Sequence, residues 1–259
     1  MAGVVRVYVF ICVCAIFPNI FAPSAQPFRT VPVIKPEILR VISHCPTAFT
    51  QGLILIDSIL YESTGLDDWS SLRRVDPKTG RVLTNTRVPG VFAEGITVLN
   101  GELVQLTYKH GIALRYEFPT LNKKDAVFRY DGEGWGLTND GTHFIMSNGS
   151  DTLYFRGRDF RITRKLSVTL NGSPLKHLNE LQYARGHVYA NVWYQNFIAE
   201  IPVTTGRVTR AIDCSELVRI ERAPRDNVLN GIAHCERRDE WYLTGKNWNN
   251  MFIVRFPAP

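Results

Sequence analysis

The chain has 259 residues, of which 45% are hydrophobic and 21% are charged. This length and composition predict one domain with a large buried core. Apart from the N-terminal segment, no stretch keeps an apolar period of 3.6 residues, which excludes a mainly helical fold. Short alternating runs rich in β-branched and aromatic residues indicate an all-β protein instead.

A net charge of +6 and an isoelectric point near 9.1 raise the question of nucleic-acid binding. The densest basic run has aspartates close by and crosses a predicted outer strand, a pattern typical of a solvated sheet edge. We therefore predict no nucleic-acid partner. The run consists of Arg156, Arg158, Arg161, Arg164 and Lys165.

The first 25 residues have the pattern of a secretory signal. Arg6 precedes an apolar run at 7–17, and small residues surround a candidate cleavage site after Ala25. The apolar run is shorter than the roughly 20 residues of a spanning helix, although an uncleaved membrane anchor stays open as an alternative. We expect a protein of the secretory pathway or the extracellular space. Glycosylation sequons at Asn148 and Asn171 agree with that location.

Two of the five cysteines lie in this N-terminal segment, so a cleaved chain keeps Cys45, Cys214 and Cys235. Three cysteines allow at most one disulfide, and the predicted fold does not depend on it. Which two would pair stays open.

The chain continues with a proline-containing lead-in at 26–36 and an isolated predicted strand at 38–43. After it, similar segments recur five times, each opening with Gly or Glu before Leu or Ile. The intervals between openings are 43, 41, 44 and 51 residues, which fit four-stranded propeller blades. The openings are Gly52-Leu53, Gly95-Ile96, Gly136-Leu137, Glu180-Leu181 and Gly231-Ile232.

Four complete blades are predicted at 49–87, 92–130, 135–169 and 179–213. An insertion at 214–227, with one helical turn at 215–219, accounts for the longest interval. The fifth segment, 231–256, has only three strand-like runs. Because a closed ring leaves no free strand edge, we expect the strand at 38–43 to supply the outermost strand of this last blade. The predicted fold is thus a five-bladed β-propeller of four-stranded antiparallel blades, forming a single domain over residues 26–259.

In a propeller, the loops that enter the innermost strands crowd one mouth of the central channel. Residues just before the five openings should converge there, together with residues at the ends of the second strands. They form an aromatic cup with a few polar groups, the expected composition of a small-ligand pocket. The openings contribute Phe49, Gln51, Phe92, Glu94, Glu133, Trp135, Asn179, Glu180 and Asn230, and the second strands contribute Tyr108, Trp193 and Lys246.

Plainer interpretations apply to several of these residues. Tryptophans between blades are by default core residues, and a lysine ordinarily extends to solvent. Three carboxylates, Glu62, Glu133 and Glu180, are better explained as structural groups that accept bonds from loop amides than as catalysts.

Seven motifs run along the chain: Phe49-Thr50-Gln51-Gly52-Leu53, Leu60-Tyr61-Glu62-Ser63-Thr64-Gly65, Glu133-Gly134-Trp135-Gly136-Leu137-Thr138, Leu178-Asn179-Glu180-Leu181, Asn191-Val192-Trp193, Leu229-Asn230-Gly231-Ile232 and Thr244-Gly245-Lys246-Asn247-Trp248. In type and order they resemble the plant and bacterial type of glutaminyl cyclase, over about residues 49–256. The resemblance implies a five-bladed propeller. It also implies an enzyme that converts the N-terminal glutamine of a peptide to pyroglutamate and releases ammonia.

Two positions depart from the pattern expected of that family. Ala93 stands where we expect glycine, and its methyl group would restrict the backbone if that position required a positive φ. Tyr108 stands where we expect tryptophan, and it adds a hydroxyl that needs a partner. Both departures concern the shape of the pocket more than the type of reaction.

The implied reaction assigns roles to the residues of the cup. The nucleophile is the substrate's own α-amine, whose ordinary pKa is about 7.7 to 8.0, and ring closure is intramolecular. The amide nitrogen leaves readily only when protonated, so Glu94 is predicted to pass the proton of the amine to the departing ammonia. We predict Glu94, Lys246 and Asn179 as catalytic residues, and Phe49, Gln51, Phe92, Tyr108, Trp135 and Trp193 as substrate-binding residues. Lys246, Gln51 and Asn179 would stabilise the carbonyl oxygen or hold the side-chain amide.

No cofactor and no metal are predicted. The six histidines are scattered, without His-Glu-x-x-His or Cys-x-x-Cys spacing. Neither a Gly-x-Ser-x-Gly elbow nor a Gly-rich phosphate loop is found. We expect a monomer whose partners are peptides or proteins with N-terminal glutamine, and which contacts membranes only through an uncleaved N-terminal segment.

Two functions from other classes stay open on the sequence alone. A catalytically silent propeller would bind peptides or other ligands in the same cup. A calcium-dependent lactonase would need converging acidic and amide ligands, for which Glu133, Asn179 and Glu180 are candidates. Ammonia release from a Gln-initiated dipeptide in the presence of a chelator separates the cyclase from both.

Overall fold

The structure is a computed structural model that describes residues 30–257. The predicted signal or anchor segment lies outside the described residues. In chain order the elements are β1 (Val33–Ile34), β2 (Glu37–Ser43), β3 (Thr50–Ile56), β4 (Ile59–Thr64), β5 (Ser71–Val75), β6 (Val82–Arg87), β7 (Ala93–Leu99), β8 (Glu102–Thr107), β9 (Ile112–Glu117), β10 (Phe128–Arg129), β11 (Leu137–Asn139), β12 (Phe144–Met146), β13 (Thr152–Arg156), β14 (Ile162–Ser167), β15 (Thr169–Leu170), β16 (Ser173–Pro174), β17 (Leu178–Ala184), β18 (His187–Val192), β19 (Phe197–Pro202), β20 (Arg210–Asp213), α1 (Ser215–Glu221), β21 (Leu229–Cys235), β22 (Glu240–Gly245) and β23 (Asn250–Arg255).

Five antiparallel sheets form the blades of a propeller, as the sequence predicts. Blade one contains β3 to β6, blade two β7 to β10, blade three β11 to β14, and blade four β17 to β20. Blade five consists of β21, β22 and β23, with β2 as its outermost strand. The innermost strands β3, β7, β11, β17 and β21 contact one another in a closed ring around the channel.

The predicted closure of the last blade by an N-terminal strand is confirmed. Strand β2 pairs antiparallel with β23, placing Val41 opposite Phe252 and Ser43 opposite Asn250. The segment therefore covers the edge of β23 that would otherwise offer unpaired backbone groups.

Three features differ from the sequence-based expectation. Blade four has five strands, because β1 of the lead-in pairs in parallel with β20. A short hairpin of β15 and β16 lies between blades three and four. Helix α1 is longer than the single turn predicted, and it ends where Arg222 adopts a left-handed conformation with φ of 53°.

The recurring glycine of the openings is explained by the approach of neighbouring innermost strands. A Cβ atom on Gly52 would lie 2.7 Å from the backbone nitrogen of Ile96 in the next blade. Side chains at Gly95 and Gly136 would likewise collide with the backbone of the blade that follows each. Glycine is therefore required where the strands meet around the channel.

Hydrophobic clusters fill the spaces between adjacent blades. One of them joins Leu53 and Leu60 of blade one to Tyr242 and Ile253 of blade five.

At the centre, the Glu180 carboxylate accepts hydrogen bonds from the backbone N–H groups of Leu53, at 3.3 Å, and Ile232, at 2.9 Å. This carboxylate joins three blades, which agrees with the structural interpretation of Glu180.

Glu62 is also held inside the protein. Its Oε1 lies 2.8 Å from His44 Nε2 and accepts a hydrogen bond of 2.7 Å from the Thr50 hydroxyl. Burial opposes the charge of both groups, but the His44 cation lowers the pKa of Glu62 and the Glu62 carboxylate raises the pKa of His44. The two side chains form a buried ion pair, which again agrees with a structural role.

The basic run differs from the solvated edge that the sequence predicts. Arg158, Arg161 and Lys165 are exposed, but the Arg156 side chain is packed inside with 5% of its surface accessible. Arg156 is the last residue of β13, and its side chain lies between blades. The exposed residues of the run lie in the turn after β13 or on the outer strand β14.

Two further observations concern the described part of the chain. Cys45, Cys214 and Cys235 are not joined in a disulfide. None of the helices at 30–257 is long and apolar enough to span a bilayer.

Candidate active site

All nine predicted site residues line one cavity of about 160 Å³ at the channel. Every blade contributes to it. Blade one provides Phe49 and Gln51, blade two Phe92, Glu94 and Tyr108, blade three Trp135, blade four Asn179 and Trp193, and blade five Lys246. Of the other residues predicted to converge, Glu133, Glu180 and Asn230 do not line this cavity.

The cavity has buried polar side chains and partly exposed aromatic walls. Gln51, Glu94, Asn179 and Lys246 are almost completely buried, whereas the five aromatic residues are partly accessible. The aromatic rings contact one another in two groups. The Phe92 ring lies 6.1 Å from Phe49 and 5.7 Å from Tyr108, and the two tryptophan rings meet edge to face at 5.5 Å.

Irregular pairing at the start of the innermost strands places the polar side chains. The register shifts between Thr50 and Gly52 in β3, and between Ala93 and Ile96 in β7. Strands β17 and β21 have the same kind of irregularity, around residues 179–180 and 230–231. Such bulges redirect side chains at the end of a strand, which here brings Gln51, Glu94 and Asn179 to one cavity.

Glu94 has an unusual environment for a carboxyl group. Its Oε1 accepts a hydrogen bond of 3.1 Å from Gln51 Nε2, whereas its Oε2 is buried without a hydrogen-bond partner. Burial raises the pKa of Glu94 well above its ordinary value, the Lys246 cation opposes this rise, and the Glu133 carboxylate adds to it. A raised pKa shifts the titration of Glu94 from the acid range toward neutral pH, which is the direction that a group for proton transfer requires.

The orientation of the Gln51 amide is fixed by Asn230. Asn230 Nδ2 donates to the backbone carbonyl of Thr50, at 2.8 Å, and to Gln51 Oε1, at 3.2 Å. Because a backbone carbonyl only accepts, the nitrogen of Asn230 must face it, and the oxygen of Gln51 must then face that nitrogen. This leaves Gln51 Nε2 to donate to Glu94.

From the sequence we placed Asn230 among the converging residues but gave it no catalytic or substrate-binding role, although the repeat contained a signal for one. The residues that immediately precede the first residue of the five openings are Gln51, Glu94, Trp135, Asn179 and Asn230. Four of these line the cavity, and Asn230 orients one of the four.

Lys246 provides a positive charge beside the carboxyl group. Its Nζ lies 4.6 Å from the centroid of the Phe49 ring, and burial lowers the pKa of the ammonium while Glu94 opposes this shift. Lys246 and Glu94 influence each other's charge without forming a direct salt bridge. The ammonium is thus available to a ligand in the cavity.

Glu133 lies behind the aromatic wall and outside the cavity. It accepts a hydrogen bond of 3.0 Å from the Trp135 indole nitrogen and forms an ion pair of 3.7 Å with Lys109. Its position agrees with a structural role in holding Trp135.

The two departures from the family pattern fit the cavity. Ala93 is not among the residues with positive φ, and its N–H donates to the Ser70 hydroxyl at 2.9 Å. The methyl group therefore causes no backbone strain. Tyr108 packs against Phe92, with the Lys109 ammonium 4.7 Å from its ring centroid.

The candidate calcium ligands are not arranged for a metal. Both carboxylate oxygens of Glu180 already accept backbone N–H groups, and Glu133 is paired with Trp135 and Lys109. Across residues 30–257, no group of three or more His, Cys, Asp and Glu side chains is placed to hold an ion.

The family model described as "Glutamine cyclotransferase" matches residues 11–256. The chain belongs to this family. A curated relative from Arabidopsis thaliana, named "Glutaminyl-peptide cyclotransferase", is 35% identical over 225 residues, which are 85% of this chain and 70% of the relative. The crystal structure of Myxococcus xanthus glutaminyl cyclase is similar with a TM-score of 0.83 and 32% identity, over 89% of this chain and 100% of that chain. The predicted resemblance and the propeller fold are thereby confirmed, and the protein is an enzyme of the glutamine cyclotransferase family.

Proposed function

We propose that this protein converts N-terminal glutaminyl residues of peptides and proteins to pyroglutamate, with release of ammonia and without a metal ion. The observation that carries the proposal is the Glu94 carboxyl, which is buried in an aromatic cavity and has one oxygen without a partner. The names of the plant and bacterial relatives point to the same chemistry.

The cavity suits a single glutamine residue. The aromatic walls would pack against the methylene groups of its side chain, and the buried polar groups would face its amide and its α-amine. Asn179 Oδ1 is buried without a partner, so it is available to accept a bond from an N–H group of the substrate. Holding the folded-back conformer in this way contributes to the rate because attack of the amine on the side-chain carbonyl is intramolecular.

The reaction needs one proton to be moved between two nitrogens. The neutral α-amine attacks the side-chain carbonyl carbon, a carbon–nitrogen bond forms, and the ionised Glu94 takes the proton that the amine loses. Glu94 then gives this proton to the amide nitrogen, whose bond to carbon breaks as ammonia leaves. Oε2 is the oxygen that performs the transfer, because Oε1 is occupied by Gln51.

Lys246 is the group that stabilises the carbonyl oxygen as it gains negative charge. Gln51 already donates to Glu94 and accepts from Asn230, so its role is to orient the carboxyl group. No carboxylate of residues 30–257 is in direct contact with the buried ammonium of Lys246, and a charge in such an environment interacts strongly with a developing oxyanion.

The experiment is to measure ammonia release from a Gln-initiated dipeptide with a chelator present. We expect activity in the wild type and a loss of about a hundredfold to ten-thousandfold in Glu94→Gln. Glu117→Gln, the same change at an exposed position on β9, is the matched control and should keep full activity. Full activity in Glu94→Gln would remove Glu94 from the mechanism. A wild type that binds the dipeptide without releasing ammonia would indicate a binding propeller.

We further propose that the enzyme acts in the secretory pathway or outside the cell. The proposal rests on the charge and apolar pattern of the first 25 residues. Mass spectrometry of the N-terminus of the mature protein tests it. Cleavage after Ala25 would expose Gln26, which the enzyme would be able to cyclise on its own chain.

A further inference from the structure

A second concave surface lies between blades two and three, beside the candidate active site. It has a volume of about 720 Å³ and is open to solvent. We call it the basic groove and define it by Arg129, Tyr130, Glu133, Tyr154, Arg156 and Lys165. It extends from the loop at 130–133 down to the turn between β13 and β14, where Phe160 and Arg161 complete it.

Arg156 is the unusual residue of this groove. Its side chain has only 5% of its surface accessible, and its guanidinium packs on the rings of Phe160 and Tyr130, at 5.0 and 5.7 Å from their centroids. Nη1 donates to the backbone carbonyl of Phe160 at 2.9 Å, but Nε is buried without a partner. Burial lowers the pKa of Arg156, and Tyr130, Asp131 and Tyr154 oppose this shift. Within residues 30–257 no carboxylate forms an ion pair with the guanidinium. An unpaired buried charge is costly, so an anion in the groove beside this guanidinium would stabilise it.

Other charges of the groove favour a negatively charged occupant. Arg129 and Lys165 line it and form no ion pair with a described carboxylate. Arg161 is paired with Asp159, at 3.6 Å. The two acidic residues of the groove are Asp131 and Glu133, and Glu133 is already engaged by Lys109 and Trp135.

The groove and the active-site cavity share a wall. Glu133 lines the groove, Trp135 lines the cavity, and a hydrogen bond of 3.0 Å joins their side chains. Tyr130, also in the groove, bonds through its hydroxyl to the backbone of Thr107, next to the cavity residue Tyr108. A peptide whose first residue fills the small cavity continues outside it, and these contacts place the groove next to the cavity wall.

We propose that the basic groove binds the part of the peptide substrate that follows the N-terminal glutamine, and that Arg156, with Arg129 and Lys165, holds an acidic side chain of that part. The proposal rests on the proposed cyclase function. The preferred substrates would then be peptides that carry an aspartate or glutamate a few residues after the N-terminal glutamine.

The test uses heptapeptides that begin with Gln and carry a single Glu, moved from the third to the seventh position in a neutral sequence. The reference is the same peptide with Ser in place of Glu. We expect the ratio of kcat/KM between acidic and reference peptides to reach about tenfold at one or two neighbouring positions, mainly through KM. The ratio should fall as the salt concentration rises. The protein is made in a host without N-glycosylation, because Asn148 also lines the groove.

Variants connect the preference to the groove. The ratio of kcat/KM between acidic and reference peptides should approach one in Arg156→Gln. It should also approach one in the double variant Arg129→Ala with Lys165→Ala, whose two positions are exposed and therefore tolerant of substitution. Arg158→Ala is the matched control, because Arg158 belongs to the same basic run but does not line the groove. It should keep the ratio of the wild type.

Several outcomes overturn the proposal. A ratio near one at every position, in a wild type that cyclises the reference peptide, overturns it and leaves the cyclase function standing. If inorganic phosphate protects the protein against thermal unfolding through Arg156 while acidic peptides have no advantage, the groove binds a free anion instead. If no peptide releases ammonia, the cyclase function fails. Binding of a labelled acidic heptapeptide is then measured by fluorescence anisotropy in the wild type and in Arg156→Gln. Equal binding by the two proteins overturns the inference.

Discussion

Gln51 donates a hydrogen bond of 3.1 Å to Glu94 Oε1, and Oε2 of the same carboxyl group is left buried without a partner. The amide thereby distinguishes two oxygens that are chemically equivalent in a free carboxylate. One oxygen is held in place and the other is available to carry a proton. Because Asn230 fixes the direction of the Gln51 amide, the geometry of Glu94 depends on a residue that does not line the cavity.

Removing the anchor of Gln51 should weaken catalysis. We expect Asn230→Leu, which deletes the donor to Gln51 Oε1 without adding charge, to lower kcat by about tenfold to a hundredfold, with a smaller change in KM. The freed Gln51 amide can turn its oxygen toward Glu94, which disfavours the ionised form and raises the Glu94 pKa further. Infrared titration of the Glu94 carboxyl band measures that shift.

The matched control for this change is Asn139→Leu. Asn139 Nδ2 donates to a backbone carbonyl, that of Val98, at 3.0 Å, just as Asn230 does, but it lies outside the cavity. Equal losses of activity in the two variants, or an unchanged Glu94 pKa in Asn230→Leu, would show that Asn230 has only a structural role.

The charges around Glu94 should shift its titration in opposite directions. Lys246→Met removes a cation that lowers the Glu94 pKa, so the pKa should rise. Glu133→Gln removes a carboxylate that raises it, so the pKa should fall. Infrared titration of each variant, with exposed Lys123→Met as a control that leaves the pKa unchanged, checks both signs. Shifts in the same direction would contradict the arrangement of charges described above.

Glu94 should also destabilise the folded protein at high pH. Its pKa is raised on folding from an ordinary value of 4.5, so the stability linked to its neutral form is fully present below pH 4.5 and is lost as the pH rises through the folded pKa. Glu94→Gln avoids this loss. At pH 8.5 we expect the variant to be more stable than the wild type by about 1 to 3 kcal/mol, and at pH 4 the difference should shrink. Calorimetry of the wild type and the variant at the two pH values measures this difference in the free energy of unfolding, with Glu117→Gln as the control. A stability difference that does not change with pH would refute the prediction.

Glu180 should behave differently from Glu94, although both are buried carboxyl groups. Glu180→Gln replaces one of two acceptor oxygens by a donor, so the N–H group of Leu53 or of Ile232 loses its partner. We expect a loss of about 1 to 3 kcal/mol in the free energy of unfolding by urea. The kcat of the folded variant should change far less than that of Glu94→Gln. A large loss of kcat at unchanged stability would place Glu180 in the mechanism.

The sequence was sufficient for the fold and for the residues of the cavity because the propeller repeats its geometry. In three openings the glycine is required by the approach of the next blade, as at Gly52, and the period of the openings reveals the number of blades. The residue before the opening lines the cavity in four of the five blades, which is why Gln51, Glu94 and Asn179 could be chosen before the structure was known. The missing strand of blade five could be inferred because an open edge is unfavourable.

Tertiary structure alone decided what each of these side chains does. Glu94 and Glu180 stand one position apart in their openings, yet one has an unpartnered oxygen and the other joins three blades. Arg156 belongs to a run that looks solvated in the sequence, but it is buried between blades, and the lead-in supplied a fifth strand to blade four. The physical reason is that burial, charge and hydrogen-bond partners depend on distances between residues of different blades, such as Gln51 and Asn230. A periodic pattern specifies which residues share an end of the ring, but it contains no information on those distances.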